Sequence, residues 1–143
     1  MQLLVGHDDA VASWMGEQLS ETFVPPFGAI GVLDEQGTLR GGWLVNGYNG
    51  FNADLTIYGP RMLNRSAIRA CYSHLFGDLK VLRTTAFTRR DNAIMRNLLP
   101  RLGFVFEGLR RRYYGPHRRD DAFTYALFRD TAMKWIEKHG LIT

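Results

Sequence analysis

Cysteine is almost missing from this chain: among 143 residues, Cys71 stands alone. A lone thiol closes no internal disulfide, and no Cys/His set has the spacing of a zinc site. Long apolar runs are missing as well; none reaches the roughly 20 residues that span a bilayer. The opening Met1 to Val5 runs at once into Asp8 and Asp9, so no signal peptide is expected and a reducing cytoplasm is the expected setting. Bases are scarce in the first sixty residues, which hold Arg40 against seven acids, whereas residues 61–143 hold seventeen bases against seven acids. A basic half of that kind implies an anionic partner (a phosphorylated cofactor, a nucleic acid or an acidic protein) or else a solvated surface. Internal repeats and low-complexity linkers are absent. What remains is balanced: 45% hydrophobic and 22% charged residues describe a folded chain. Its length suits one domain, 1–143, able to bury roughly 68–70% of its unfolded surface.

Apolar periodicity alternates between strands and helices, which predicts a single α/β or α+β domain. Asp8 or Asp9 is expected to cap a helix running to about Ser20, with Val11, Trp14, Met15 and Leu19 on one side. Gly28 to Leu33 and Gly41 to Val45 read as strands joined by the turn Asp34-Glu35-Gln36-Gly37, and Asn46-Gly47 and Asn49-Gly50 mark another reversal. Ala53 to Tyr58 is a strand with Leu55 and Ile57 on one face and Asp54, Thr56 and Tyr58 on the other. A helix from about Ser66 to Phe76 carries Cys71 in its apolar stripe and His74 opposite, facing solvent; Gly77 stops it. Lys80 to Phe87 is a strand. A helix starting near Asp91 carries Ile94, Met95, Leu98, Leu99 and Leu102, and Pro100 shortens or bends its end. Phe104 to Leu109 and Ala122 to Phe128 are the last strands, separated by a basic loop, and a short helix covers about Thr131 to His139.

The stretch Ile57 to Ser66 carries the chemistry. A strand ends, a loop turns, and a helix begins with its amino end free, exposing unpaired N–H groups and the positive end of the macrodipole. That arrangement binds phosphate, and Arg61 and Arg65 add full charges. Phosphate-cradling loops usually carry glycine; here Asn64 is the residue expected to take a left-handed conformation, and Ser66 is expected to cap the helix. An ordinary strand–helix junction has the same look.

From Gly41 to Phe128 the sequence resembles the GNAT superfamily of acyl-CoA-dependent N-acetyltransferases, most closely its compact phage and prophage forms. The superfamily's loop of pattern Arg/Gln-x-x-Gly-x-Gly/Ala is matched by Arg61-x-x-Asn64-x-Ser66, with both glycine positions replaced. Asn92, then Leu102-Gly103-Phe104, Glu107-Gly108 and Arg110 match the signature Asn…Leu-Gly-Phe…Glu-Gly…Arg. The likeness covers about 90 residues and implies a mixed, mostly antiparallel six- to seven-stranded sheet, splayed in the middle, with helices on both faces.

The resemblance further implies acetyl-CoA as cofactor. Its pantetheine arm would add along the free edge of the fourth strand, around Leu55 and Ile57 to Tyr58, as an extra strand does. Its pyrophosphate would sit on Asn64, Arg65 and Ser66 beside Arg61, and Asn92 would hydrogen-bond the arm. The reaction implied is direct attack of an amine on the thioester, needing a neutral amine, an oxyanion donor and a proton for the thiolate. The family's usual tyrosine, seven residues after the asparagine, is Leu99 here, so Tyr58 becomes the candidate acid, with Tyr113 and Tyr114 behind it. Asp54, Glu107 and His117 are candidate bases, although Glu107 also has arginines to pair with. Two other readings stay open. Arg110 to Tyr114 and His117 to Arg119 mix bases with aromatics, as single-strand nucleic-acid binders do; and the missing glycines with Leu99 suit a GNAT-shaped scaffold without catalysis. The acceptor is an amine that the sequence does not name; a homodimer is a further expectation, and no metal is expected.

Overall fold

The computed structural model describes residues 2–59 and 64–138. In chain order the elements are β1 (Gln2–Leu4), α1 (Asp8–Leu19), β2 (Phe27–Leu33), β3 (Leu39–Asn46), β4 (Asn52–Tyr58), α2 (Arg65–Tyr72), β5 (Arg83–Arg89), α3 (Ala93–Arg101), β6 (Val105–Arg110), β7 (Ala122–Phe128) and α4 (Arg129–Lys138). One seven-stranded sheet runs in the order β1-β2-β3-β4-β5-β7-β6. Every neighbouring pair is antiparallel except β4 with β5, which are parallel. Helix α2 is the crossover that a parallel pair requires.

Local chemistry sets most of these boundaries. The β2–β3 hairpin is tied by Asp34, whose Oδ1 accepts from the backbone N–H groups of Gln36 and Thr38, both at 2.9 Å. Both helices that follow the central strands start on an asparagine: Asn64 Oδ1 accepts from Ala67 N at 2.8 Å, and Asn92 Oδ1 from Met95 N at 3.2 Å. Strand β4 ends at Gly59, where φ is +65° and a Cβ would stand 2.5 Å from the Arg40 carbonyl oxygen; only glycine fits both conditions.

Several boundaries differ from expectation. Gly77 does not stop the second helix. After Tyr72 the chain continues as a π-helical turn, Ser73–Asp78, which carries Leu75 and Phe76 into the core. The left-handed residue that ends it is Lys80, φ +55°. Residues 80–82 are spent on that turn, so β5 starts at Arg83 rather than Lys80. His74 is not turned to solvent: it is half-buried and stacks on Trp43, ring centroids 5.9 Å apart. Strand β1 and a 3₁₀ turn at Arg118–Asp120 were not legible in the pattern. Pro100 falls where expected, with α3 ending one residue beyond it.

The sheet has helices on both faces. On one, α2, α3 and α4 cover the larger core, with Tyr72, Leu75, Phe76, Leu99 and Leu127 at its centre. Cys71 is part of it, and burial pushes its thiol pKa up. On the other face α1 packs Val11, Ala12 and Met15 onto Ala29 and Leu44. Among the described residues no helix is long and apolar enough to cross a membrane.

Candidate functional site: a cleft where two parallel strands part

Strands β4 and β5 pair over four residues only. The register runs Asn52↔Arg83, Ala53↔Thr84, Asp54↔Thr85 and Leu55↔Ala86, and stops there. Beyond that point each strand keeps its outer neighbour. Thr56, Ile57 and Tyr58 stay paired with β3, while Phe87, Thr88 and Arg89 stay paired with β7. The closed end is locked by side chains as well: Thr84 Oγ1 donates to the Ala53 carbonyl at 2.7 Å and Thr85 Oγ1 to Asn52 Oδ1 at 2.6 Å. A right-handed twist accumulating across the sheet opens a gap wherever the ladder is not held.

The gap is a cleft of about 160 Å³. Its walls are Leu55 to Ile57 on one strand and Ala86 to Arg89 on the other; Asn92 and Met95 of α3 close it on one face, and Leu19, Glu21 and Tyr114 on the other. An adjoining apolar crevice between β4 and α2 is lined by Trp43, Leu55, Ile57, Ile68 and Cys71, among others. Trp43 Nε1 is, among the described residues, the buried side-chain polar atom left without a hydrogen-bond partner.

Leu55 is the last paired residue, at the fork of the two strands; Ile57 lies on the open edge beyond it, and both line the cleft with Asn92. The Asn92 Oδ1 caps α3, which leaves its amide N–H groups for a ligand. Asn64 caps α2 in an extended conformation, φ −106° and ψ 179°. This corrects two expectations: Asn64 is not left-handed, and Ser66 is not the cap. An extended N-cap is the ordinary geometry because it aims the side-chain oxygen at the third helical N–H. The backbone N–H groups of Arg65 and Ser66 belong to the first turn, where no intrahelical partner exists. Both side chains are exposed. Arg61 lies outside the described residues.

The candidate acid and bases fare differently. The ring of Tyr58 packs edge-on against Trp14, centroids 5.4 Å apart, and its hydroxyl lies 3.5 Å from Gln18 Oε1. Strand alternation puts it on the α1 face, beside the small core, and it does not line the cleft. Asp54 accepts from Asn52 Nδ2 at 3.1 Å. Glu107 is held by both terminal nitrogens of Arg83, at 2.5 and 3.1 Å, and that pairing keeps its carboxyl below the usual carboxylate range. His117 N–H bonds Asp120 at the start of the 3₁₀ turn. None of these three carboxylate or imidazole groups lines the cleft. Leu99 is fully buried in the larger core.

Besides Arg89, the titratable side chains Glu21 and Tyr114 line it. Tyr114 was a lesser candidate; Glu21 carried no sequence signal, being one acid in an unpatterned segment after α1. Partial burial holds the Glu21 carboxyl above the usual carboxylate range. Burial, with the charges of Glu21 and Tyr113 adding to it, pushes the Tyr114 hydroxyl up to about 12, against the opposing pull of Arg89. The Arg89 guanidinium lies over the Tyr114 ring, 5.5 Å from its centroid.

The architecture has solved counterparts. No family model matches the chain, and no curated protein does. A chimera of the Vibrio cholerae spermidine N-acetyltransferase SpeG with hSSAT superposes with a TM-score of 0.68 over 94% of this chain and 99% of that one, at 16% identity. The Vibrio cholerae spermidine N-acetyltransferase in complex with CoA and spermine gives 0.62 over 85% and 75%, also at 16% identity. A second chimera of that enzyme gives 0.61 at 19% identity over 75% and 70%. The chain has the GNAT acetyltransferase fold. In that fold the signature residues have plain structural work here. Asn92 caps α3, Gly103 turns the chain at φ +99°, and Phe104 is buried. Glu107 ties β6 to β5, Gly108 marks the bulge in β6, and Arg110 covers Phe87 and Tyr113.

Proposed function

We propose that the chain, residues 1–143 acting as one domain, is an acetyl-CoA-dependent N-acetyltransferase that moves an acetyl group to an amine by direct attack on the thioester. The observation that carries this reading is the parting of β4 from β5 after Leu55↔Ala86. It leaves a strand edge bare beside a narrow, mostly apolar cleft, which suits an extended amide-bearing arm. The residues present fit coenzyme A. Ile57, beyond the last paired residue Leu55, offers the edge, Asn92 an amide donor, and the first-turn N–H groups of Arg65 and Ser66 a seat for phosphate, with Arg65 supplying charge; Arg61, outside the described residues, stays a sequence-based candidate for further charge. When bound, acetyl-CoA supplies an acyl group on a good leaving sulfur. The cleft walls hold that group against the amine and exclude water, and proximity alone contributes several powers of ten. The solved relative with CoA and spermine supports an amine as acceptor.

The nucleic-acid reading finds less support. Tyr113, which would have to stack on bases, already stacks on Phe87, centroids 6.1 Å apart and planes 6° from parallel. Among the described residues, three arginines of the basic half are spent on ion pairs within the molecule, Arg83 on Glu107, Arg89 on Asp91 and Asp120, and Arg90 on Asp121. The scaffold reading loses part of its ground as well, because Asn64 and Ser66 in place of glycine still leave two first-turn N–H groups outside the ladder. The proposed setting is cytoplasmic. A homodimer would join on edge strand β6, where Val105, Phe106 and Leu109 are exposed.

Calorimetric titration with acetyl-CoA is expected to give micromolar to sub-millimolar binding, and mixing with an amine to release free thiol. Absence of binding would overturn the reading. DNA binding that weakens by about one log-slope unit per phosphate contacted as salt rises would favour the nucleic-acid alternative instead.

A further inference from the structure

The cleft meets a second depression at one residue. Beside α1 lies an open groove of about 440 Å³ lined by Asp9, Ser13, Glu17 and Phe23, among others, and Glu21 belongs to both this groove and the cleft between the strands. Glu21 sits just past the end of α1, with its N–H bonded to the Gly16 carbonyl at 3.0 Å. Across the cleft mouth, Tyr114 is set by the β6–β7 hairpin. Its N–H donates to the Asp120 carbonyl at 2.9 Å, its ring meets Tyr113 edge-on at 5.0 Å, and Arg89 lies over it. Two proton-carrying side chains from segments remote in sequence thus line one cleft, and one of them also lines the groove that opens to solvent.

We propose that Glu21 and Tyr114 are the catalytic pair of the acetyl transfer: the acceptor amine enters along the α1 groove, Glu21 takes a proton from its nitrogen, and Tyr114 gives its hydroxyl proton to the departing sulfur. The inference rests on the acetyltransferase reading above. For a neutral amine the step balances. The nitrogen–carbon bond forms and the carbon–sulfur bond breaks with its electron pair going to sulfur. One proton leaves nitrogen for the Glu21 carboxylate and one reaches sulfur from Tyr114. Transfer of the proton from Glu21 to the tyrosinate then restores both groups, and the products are an amide and a free thiol. A carboxyl held above its ordinary range is a better proton acceptor than a surface carboxylate; Tyr114 carries its proton at neutral pH, and its place in the cleft wall, not its acidity, carries its assignment. The charged and titratable groups around the pair are Glu17 and Asp9 of α1, Arg89 of β5, and Tyr113 of the hairpin. The Arg89 charge is shared with Asp91 and Asp120.

The test uses the full chain with acetyl-CoA and three amines: spermidine, a lysine-bearing peptide and a peptide with a free amino terminus. Free thiol is read colorimetrically, and acetyl-CoA affinity and thermal melting are measured beside it. Tyr114→Phe is expected to lower kcat about 100-fold, the lower end for loss of a general acid, with acetyl-CoA affinity within about twofold of the parent under that assignment. Glu21→Gln is expected to lower kcat/KM about 100-fold at neutral pH and to erase the limb on which rate rises with pH; Glu21→Asp restores part of both. A folded Tyr114→Phe that keeps its rate, or a Glu21→Gln profile with its limb intact, overturns the pair while leaving acetyl transfer standing. Should Tyr114→Phe fail to fold, the Glu21→Gln profile decides alone. If the parent binds acetyl-CoA but acetylates none of the amines, the pair and the transferase reading both fall.

Discussion

The two faces of the sheet are built unequally. One carries three helices and a thick core in which Tyr72, Phe76, Leu75 and Leu99 are sealed. The other carries α1 alone over Val11, Met15, Ala29 and Leu44 on the β1–β4 side. On the β5–β7 side it carries only the hairpin layer of Tyr113, Tyr114 and Arg110. The thick face holds the sheet together, and the thin face is left open at its middle, between α1 and the hairpin. There the strands part, and Glu21 and Tyr114 both line the cleft. A site that must admit two substrates belongs on the face with less packing to lose.

That contrast can be broken by measurement. The largest effect is expected for Phe76→Ala in the thick core, a loss of about 3–5 kcal/mol in denaturant unfolding, against about 2 kcal/mol for Met15→Ala under α1, near the low end for that change. Equal losses would show the two faces to be equally loaded. Next come the caps: Asn64→Ala and Asn92→Ala should each cost about 1 kcal/mol. Only their effect on acetyl-CoA separates them, since Asn92 lines the cleft and its loss should weaken binding several-fold in calorimetry beyond any change in melting. Thr84→Val, which removes the hydroxyl bond to the Ala53 carbonyl at the closed end of the cleft, should cost about 0.5–1.5 kcal/mol; no loss would show that the backbone ladder alone holds that end. The smallest effect is the response to acid. Pairing and backbone N–H donors hold Glu107, Asp120 and Asp121 below the usual carboxylate range. Their contribution is therefore complete above about pH 4 to 5 and is lost as pH falls through the lowered values. Glu21, shifted the other way, gains on protonation. Melting followed from pH 7 to 3 should fall, and Glu107→Gln should flatten part of that fall.

Much of this fold was legible in the chain. The turn at Asp34, the strands around Ala53 to Tyr58 and Ala122 to Phe128, and helix α1 follow from period and turn residues, which are local properties; the expected cap of α1 did not hold, its N-cap being His7 with Asp8 and Asp9 inside the first turn. Leu55, Ile57 and Asn92, singled out through the family resemblance, line the cleft; their roles toward a cofactor remain a proposal. The errors share one cause. Gly77 and His74 were read from helical spacing, whereas the burial of Leu75 and Phe76 and the Trp43 ring decided their conformations. Tyr58 was selected by its place at the end of β4, and alternation then turned its side chain toward Trp14.

By itself the sequence determined the order and kind of most elements, the turn at Asp34, and that the basic half follows the acidic one, since all of these depend on neighbours within a few positions. Only the tertiary structure decided how far β4 and β5 stay paired, which arginines are neutralised by ion pairs, and that Glu21 and Tyr114 line one cleft. Those outcomes depend on the twist of a seven-stranded sheet and on contacts between segments remote in the chain, and no local pattern encodes them.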